Sequence, residues 1–273
     1  MTINSSTNQS SLLIVTDLDG SLLDHDNYCW TAAEPCLKKL KMRNVPIIFC
    51  TSKTRPEVES LQQQMDLLEQ PFICENGALL HAYGQSHIIA EHHPALGYNK
   101  IVQILDQLKL EYGFKFSGFS AATADEIVRW TGLSNQQAIF SKQRLASEPI
   151  LWQDSNDHFT QFQQQLATHH LCLIQGGRFW HVMNMGSQKG LALQFYLQQE
   201  QRQQRYWHTI GLGDSPNDLP LLEITNFAVV IRTASAKEMP LQRTDIKNIY
   251  HSRHIGPTGW CEGIEYFFHH NNL

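Results

Sequence analysis

The sequence predicts an α/β protein with a doubly wound, Rossmann-like core and an inserted α+β domain. Short apolar segments typical of buried strands alternate with helix patterns in the N-terminal part of the chain, and the same alternation returns near the C-terminus. Between these regions the pattern changes, and two strand-like segments are joined by a Gly-Gly turn, which is typical of an antiparallel module. One core interrupted by one insertion explains all three observations.

The first part of the core is predicted from three apolar runs and two helix starts. Residues 12–16, 46–50 and 72–74 have the composition of strands buried on both faces of a parallel sheet. Helices are expected from Thr31 and Thr54, because each is followed three residues later by a glutamate, the pattern of a capping box.

The insertion is predicted at residues 85–186, which leaves residues 12–84 and 187–273 for the core and residues 1–11 as a disordered polar tail. Within the insertion we expect helices at residues 99–111 and from Thr123 and Ser134, with another helix before the last two strands. The expected strands there are residues 114–117, 149–153, 171–175 and 178–182. The core then resumes with a helix at residues 188–199, a strand at 207–212, a helix from Pro216 and a strand at 227–231.

Composition excludes several classes of function. Hydrophobic residues make up 42% of the chain and charged residues 17%, with a formal net charge of -5. A broad nucleic-acid surface needs clustered basic residues, which this balance does not supply, whereas a small anionic substrate is compatible with it. We see no signal peptide and no membrane span, and the six cysteines form no CxxC pair, so we expect reduced thiols and a cytoplasmic protein.

The histidine pairs of the chain do not have zinc-ligand spacing. We therefore interpret His92-His93, His169-His170 and His269-His270 as polar surface residues.

Two acidic motifs follow predicted buried strands. Asp17-Leu18-Asp19-Gly20-Ser21 comes directly after the first strand, and Gly213-Asp214-Ser215-Pro216-Asn217-Asp218 follows the strand at residues 207–212. Ligands of open α/β sheets bind at the carboxyl ends of the strands, so these carboxylates are expected at one edge. An oxygen-rich group of this kind suits Mg²⁺.

Two further residues fit a phosphate group at the same edge. Thr51 follows the second strand and offers a hydroxyl and a backbone N–H, while Lys189 begins a helix and offers an ammonium group. Each has an ordinary structural explanation on its own. Their combination with the acidic motifs indicates phosphoryl chemistry.

These four motifs resemble, in order and placement, those of the haloacid dehalogenase superfamily, and the insertion is similar to the large cap of its Cof-type branch. The resemblance implies a phosphatase in which Asp17 is the nucleophile and Asp19 the general acid and base. It implies Mg²⁺ bound by Asp17, the Asp19 carbonyl and Asp214, with Asp218 steadying the site. Thr51 and Lys189 would bind the phosphoryl group. Ser21 replaces the usual threonine and retains its hydroxyl.

Several segments are similar, more narrowly, to those of mannosyl-3-phosphoglycerate phosphatases. This resemblance implies a small phosphorylated sugar-acid substrate. The candidate substrate residues are Ser52, Lys53, Asn76, Arg178 and Asn217, with Arg178 directed at a carboxylate or phosphate, whereas Trp180 and His181 are expected to be packing residues. The similar segments are residues 51–54, 75–78, 130–134, 175–181 and 256–260.

Alternative functions remain open at this point. A phosphomutase or a broader sugar phosphatase of the same superfamily shares the aspartate chemistry. A phospho-aspartate receiver protein also has an acidic pair, a hydroxyl residue and a lysine on a doubly wound sheet, although the insertion and the second carboxylate at Asp19 disfavour it. The sequence indicates neither the exact sugar nor the oligomeric state.

Overall fold

A computed structural model of the chain describes residues 11–91, 94–176, 178–234 and 239–270. The expected tail up to residue 10, the pair His92-His93 and Gly177 of the Gly-Gly turn lie outside the described residues. Ser11 had been assigned to the tail but is the first residue of a strand, because its N–H donates to the Tyr206 carbonyl oxygen.

The strands and helices are as follows. The strands are β1 Ser11–Thr16, β2 Ile47–Cys50, β3 Phe72–Cys74, β4 Leu79–Ala82, β5 Gln85–Ile88, β6 Phe116–Gly118, β7 Ser147–Trp152, β8 Leu171–Gly176, β9 Phe179–Asn184, β10 Trp207–Gly213, β11 Phe227–Arg232 and β12 Ile249–Ile255. The α-helices are α1 Glu34–Met42, α2 Arg55–Gln64, α3 Tyr98–Tyr112, α4 Ala124–Thr131, α5 Asn135–Ser141, α6 Asn156–Thr168, α7 Lys189–Arg202, α8 Leu219–Ile224 and α9 Gly256–His270. Short 3-10 turns include Thr31–Ala33, Glu75–Gly77 and Pro216–Asp218.

Eight strands form the main sheet in the order β12-β11-β10-β1-β2-β3-β4-β5. The pairs from β12 through β11 and β10 to β1, and the pair of β2 with β3, are parallel, whereas β3, β4 and β5 are antiparallel neighbours. The predicted α/β fold is therefore confirmed. From β1 the chain continues to β2 and β3 on one side of the sheet, whereas β10 and β11 lie on the other side. The pair of β1 and β10 is therefore a topological switch point, and open α/β sheets bind ligands at such points.

The contacts of the chain define two compact units. The first takes the described residues of 11–48, 193–214 and 221–270, and the second those of 49–192 and 215–220. In the first unit, α9 packs against β11 and β12, and its Trp260, Ile264 and Phe267 are fully buried.

The second unit contains an antiparallel sheet of four strands in the order β6-β7-β9-β8. Apolar residues of α3 and α6 pack with those of the sheet around Phe114 and Phe162. Both helices bury an apolar stripe, which accounts for the amphipathic pattern of their sequences. An antiparallel sheet with one face covered by helices is the expected α+β arrangement.

Helix starts were predicted with mixed success. The capping box at Thr54 is confirmed, since its N–H donates to the Glu57 carboxylate at 2.8 Å, and those at Thr123 and Ser134 are also present. The capping box at Thr31 is wrong. Thr31 begins a 3-10 turn whose capping position makes no side-chain hydrogen bond, and its hydroxyl contacts the Cys29 thiol instead.

In the described parts of the chain, no helix combines the length and the hydrophobicity that crossing a bilayer requires.

Candidate functional site

Two carboxylates follow adjacent parallel strands at the switch point. Thr16 of β1 lies beside Leu212 of β10, and the Asp17 N–H continues the ladder by donating to the Leu212 carbonyl oxygen at 2.9 Å. Asp17 is only 5% exposed, and Asp214 follows the end of β10. The buried apolar strands thus end in acidic groups, which is costly unless cationic partners or ligands compensate.

A tight turn after β1 holds Asp19 and Ser21. The N–H groups of Gly20 and Ser21 donate to the carbonyl oxygens of Leu23 and Leu18, and the Ser21 hydroxyl lies 3.3 Å from Asp214 Oδ1. Gly20 has a φ of 84°, and a Cβ there would lie 2.5 Å from Asp214 Oδ2. Glycine is therefore required both by backbone conformation and by the close approach of the carboxylate.

The end of β1 is anchored by the C-terminal helix. The indole N–H of Trp260 donates to Thr16 Oγ1 at 2.8 Å, and the Thr16 hydroxyl in turn donates to the Asp17 carbonyl oxygen at 2.6 Å. Trp260 belongs to the Gly-Pro-Thr-Gly-Trp segment singled out in the sequence. Its contact fixes the backbone next to Asp17.

Lys189 and Asp218 form a buried ion pair. Lys189 Nζ lies 2.6 Å from Asp218 Oδ1, and the two side chains are 1% and 0% exposed. The other oxygen, Asp218 Oδ2, accepts a hydrogen bond from the Ser215 N–H at 3.0 Å. Removal of one partner from such a pair typically costs about 3–5 kcal/mol, so each group holds the other in place.

Two of the predicted metal ligands, Asp17 and Asp214, lie close together. Each offers a carboxylate oxygen, and these atoms lie within 4.8 Å of one another. Hard oxygen donors of this kind suit Mg²⁺, which retains water and substrate oxygens in its remaining positions. The residues present therefore fit the ion implied by the sequence.

Thr51 and its neighbours lie in the loop after β2. Thr51 is fully buried, its N–H donates to the Ile73 carbonyl oxygen, and its Oγ1 accepts from the Lys53 N–H at 3.2 Å. Ser52 and Lys53 are half-buried. The Thr51 carbonyl oxygen accepts from the Asn76 N–H at 2.9 Å, which ties this loop to the one after β3.

The segment after β3 has an unusual backbone. Glu75, Asn76 and Gly77 have φ values of 52°, 59° and 91°, so two non-glycine residues are left-handed in succession. A Cβ on Gly77 would lie 2.4 Å from the Lys189 backbone nitrogen, which explains the glycine. Asn76 Oδ1 accepts from Asn217 Nδ2 at 2.9 Å. Such backbone strain persists only where surrounding contacts enforce it.

The enforcing contacts converge on the Glu75 carboxylate. It accepts the N–H groups of Leu145 and Ala146 at 2.8 and 3.1 Å and the Ser147 hydroxyl at 2.8 Å. Arg144, which is 5% exposed, lies 3.7 Å from the same carboxylate and donates to the Ser52 carbonyl oxygen at 3.2 Å. Arg144 therefore connects the segment before β7 to the loop after β2.

Arg178 lies at an exposed position near the start of β9. Its Nη2 donates to the Thr131 carbonyl oxygen at 3.2 Å, at the end of α4. His181 of the same strand is buried, and burial, reinforced by the positive charges of Arg144 and Lys189, lowers its pKa to about 3. The ring is therefore neutral at physiological pH.

Sequence reasoning missed the roles of Arg144 and His181. Arg144 follows the polar Lys142-Gln143 pair and has the appearance of a surface residue, so no local signal marks it as buried. His181 lies within a segment that was quoted for its resemblance, and this was the only available signal. The coordination of the Glu75 carboxylate by residues 70 or more positions away was likewise hidden, because it depends on tertiary structure.

A comparison with family models identifies one match. Residues 14–239 match the family described as haloacid dehalogenase-like hydrolase. The match extends over the acidic motifs, Thr51 and Lys189.

Solved structures share the fold at low sequence identity. A Thermoplasma acidophilum protein, 0175, has a TM-score of 0.64 at 17% identity, with 97% of this chain and 99% of that one covered. A phosphatase from Bacteroides thetaiotaomicron, BT1666, has a TM-score of 0.66 at 14% identity over 97% and 98% of the two chains. The sugar phosphatase BT4131 has a TM-score of 0.64 at 14% identity over 96% and 99%.

We predict that Gly20→Ala destabilises the protein more than Gly84→Ala, measured by denaturant unfolding. Both glycines have positive φ, but a Cβ at Gly84 meets no atom within 4 Å, whereas one at Gly20 collides with Asp214. The difference in unfolding free energy should be about 1–3 kcal/mol, the usual cost of overpacking. Equal losses in the two variants would contradict the close approach of Gly20 and Asp214.

We also predict that His181→Gln reduces the loss of stability in acid. The pKa of His181 is lowered in the fold, so below about pH 6.5 the unfolded chain binds a proton that the folded chain does not. Stability is therefore lost as the pH falls, by roughly 2 kcal/mol between pH 6.5 and pH 5 from this one group. Unfolding at both pH values should show a smaller loss for His181→Gln than for wild type, with His169→Gln behaving like wild type. An unchanged pH dependence in His181→Gln would refute the neutral buried state.

Proposed function

The chain belongs to the haloacid dehalogenase-like hydrolase family, and on that premise we propose a Mg²⁺-dependent phosphatase of the Cof-type branch. The proposed substrate is a small sugar-acid phosphate, with mannosyl-3-phosphoglycerate as the first candidate. The observation that supports this most is the closeness of the Asp17 and Asp214 carboxylate oxygens, which lie within 4.8 Å of one another. They would supply an anionic nucleophile and two metal ligands, and the buried Lys189–Asp218 pair would supply a phosphate-binding cation.

The metal would be held by the carboxylates of Asp17 and Asp214 and the Asp19 carbonyl oxygen, with Asp218 supporting the site. When bound, Mg²⁺ would offset the repulsion between the Asp17 carboxylate and the phosphate dianion. Two like charges about 4 Å apart oppose each other by roughly 4 kcal/mol at an effective dielectric constant near 20, so this offset decides whether attack is possible. The remaining chemistry belongs to the protein side chains.

In the first step, Asp17 would attack phosphorus and form an O–P bond while the bond to the leaving oxygen breaks. Asp19 would donate its proton to that oxygen. In the second step, Asp19 would remove a proton from water, whose oxygen attacks phosphorus and releases Asp17 with its carboxylate restored. Asp19 loses a proton in the first step and regains one in the second, so the same residue can act as the acid and as the base.

Thr51 and Lys189 would bind the transferring group. The Thr51 hydroxyl and the N–H groups of its loop, including that of Ser52, would donate to phosphoryl oxygens, and the Lys189 ammonium group would stabilise the negative charge of the transition state. The Lys189–Asp218 pair supports this assignment, because it fixes the ammonium group before substrate arrives. Preorganised charge of this kind needs no rearrangement during the reaction.

We assign substrate specificity to the insertion. We take residues 85–186 as a cap on a core of residues 12–84 and 187–273, with the four-stranded antiparallel sheet as its framework. Lys53, Asn76 and Asn217 are proposed to bind the substrate from the core, and Arg178 from the cap. The similarity of the segments around these residues to mannosyl-3-phosphoglycerate phosphatases supports a sugar-acid substrate. A cytoplasmic location without nucleic-acid or membrane partners is proposed from the composition of the sequence alone.

Substitution of Asp19 by Asn should lower kcat by at least 100-fold for every phosphomonoester, because both proton transfers are lost. Steady-state phosphate release measures this effect, with a circular dichroism spectrum to verify folding. Asp24→Asn is a suitable comparison, because Asp24 lies in the same loop and its carboxylate accepts the backbone N–H groups of Asp26 and Asn27. A normal kcat in Asp19→Asn would remove Asp19 from the mechanism.

Phosphate release from mannosyl-3-phosphoglycerate tests the proposed substrate. The assay compares it with glucosyl-3-phosphoglycerate, 3-phosphoglycerate and hexose phosphates, with Mg²⁺ and with a chelator. We expect rapid, Mg²⁺-dependent hydrolysis of the mannosyl compound. Comparable slow turnover of all compounds would reject the substrate and retain the phosphatase, while an isomerised sugar phosphate without free phosphate would indicate a mutase.

A further inference from the structure

The strand β9 contains a buried polar group whose hydrogen-bonding capacity is unused. His181 is 6% exposed, and its Nδ1 is buried without a hydrogen-bond partner in the described part of the chain. An unpaired buried polar atom is costly, and proteins retain few of them without a functional reason. Because no acceptor among the described residues faces Nδ1, we assign the proton of the neutral ring to Nε2, the nitrogen that can donate to a ligand.

A second unused donor belongs to Asn76. Its Oδ1 accepts from Asn217, whereas its buried Nδ2 has no acceptor among the residues that the structure describes. The left-handed backbone of Asn76 is enforced by the contacts of Glu75, so this side chain is held in a fixed direction. Its amide group therefore offers a preorganised N–H donor.

Gly176 shows that the two side chains approach the same place. A Cβ on this glycine would lie 3.0 Å from His181 Nε2 and 3.5 Å from Asn76 Nδ2. Both nitrogens therefore lie beside Gly176, a residue of β8 that has no side chain. Any larger residue would occupy the volume between them.

The donors of His181 and Asn76 and the charges near them indicate which chemical group would bind between them. The imidazole is neutral, so it has one N–H to donate, and the positive charges that act on it belong to Arg144 and Lys189. Two N–H donors near these cations favour an oxygen acceptor with negative charge. Asn76 is also connected through Asn217 to the loop of Asp218, which pairs with Lys189. We therefore expect that the phosphate group at Lys189 and the acceptor at Asn76 and His181 belong to one ligand.

We propose that Asn76 Nδ2 and His181 Nε2 form a subsite for a carboxylate in the organic part of the substrate. This inference rests on the proposed phosphatase function and deepens it, because it defines the substrate class as carboxylated phosphomonoesters. It also assigns carboxylate recognition to His181 instead of Arg178, whose guanidinium group is exposed and donates to the Thr131 carbonyl oxygen.

Two ligands that differ at one group test the subsite. 3-Phosphoglycerate carries a carboxylate where glycerol 3-phosphate carries a hydroxymethyl group. Kinetics with both, and with p-nitrophenyl phosphate, should be measured for wild type, His181→Leu, His181→Gln and Asn76→Asp. His169→Gln serves as the control, since His169 is a half-exposed residue at the end of α6.

We expect His181→Leu to lower kcat/KM for 3-phosphoglycerate by 10- to 100-fold through KM, with less than a threefold change for glycerol 3-phosphate. His181→Gln should restore most of the loss, because its amide nitrogen can replace Nε2. Asn76→Asp should lower kcat/KM more for 3-phosphoglycerate than for glycerol 3-phosphate, since two carboxylates then face each other. Equal losses on all substrates, or none, would overturn the proposal in favour of a structural role or an ordered water.

A binding measurement distinguishes an error in the subsite from an error in the proposed function. Calorimetric titration of wild type with 3-phosphoglycerate and with inorganic phosphate does not require turnover. Weaker binding of 3-phosphoglycerate by at least tenfold in His181→Leu, with phosphate binding unchanged, supports the subsite even if no phosphomonoester is hydrolysed. Unchanged binding of 3-phosphoglycerate, or no binding by wild type, would overturn it, whereas turnover of p-nitrophenyl phosphate would still support the phosphatase.

Discussion

The accumulation of negative charge at one edge of the sheet is the constraint on which the rest of the structure depends. Asp17 and Asp214 follow two adjacent buried strands, and their carboxylate oxygens lie within 4.8 Å of one another. Carboxylates this close repel each other, so the arrangement requires positive charge. A divalent cation held by these oxygens would supply it, and Lys189 separately neutralises the buried Asp218.

Several structural features are explained by the need to hold these groups in place. Gly20 lets Asp214 approach the turn after β1, and Trp260 fixes the β1 backbone through Thr16. Gly77 allows the backbone of Lys189 to pack against the loop after β3. These residues belong to different segments of the sequence, but each restricts the position of one charged group or of its backbone.

The loop after β3 holds neutral hydrogen-bonding groups in place. Glu75 uses its carboxylate to bind the segment before β7, and this contact holds Asn76 in a left-handed conformation. Burial and positive charge keep His181 neutral at physiological pH, because they lower its pKa to about 3. Asn76 of this loop and His181 of β9 therefore offer uncharged donors, which can distinguish the organic part of a ligand from its phosphate.

Most strands of the core could be predicted because buried parallel strands are continuous apolar runs with acidic or polar residues at their carboxyl ends. The hairpin of β4 and β5 was missed, since three of the four residues of Gln85–Ile88 are polar and its pairing partner is decided by tertiary structure. The strand β12 also contains mostly polar residues and was missed. Thr31 does not cap α1, because it begins a 3-10 turn and the helix starts only at Glu34, with Pro35 in its first turn.

The motif residues of the candidate site were found because each follows a strand or begins a helix. Arg144 could not be found in this way, since its partner Glu75 is distant in sequence. The distinction between Arg178 and His181 also required the structure, because alternation along β9 does not reveal which side chains are buried.

Trapping the phosphorylated protein tests the central claim most directly. Asp19→Asn should be mixed with Mg²⁺ and p-nitrophenyl phosphate, whose leaving group needs no proton from Asp19. The protein is then quenched in acid and digested, and its peptides are weighed by mass spectrometry. We predict the added mass of one phosphoryl group on the peptide that contains Asp17, and none in the Asp17→Asn, Asp19→Asn double variant. A phosphoryl group on another residue, or phosphate release without any phosphorylated peptide, would contradict the account.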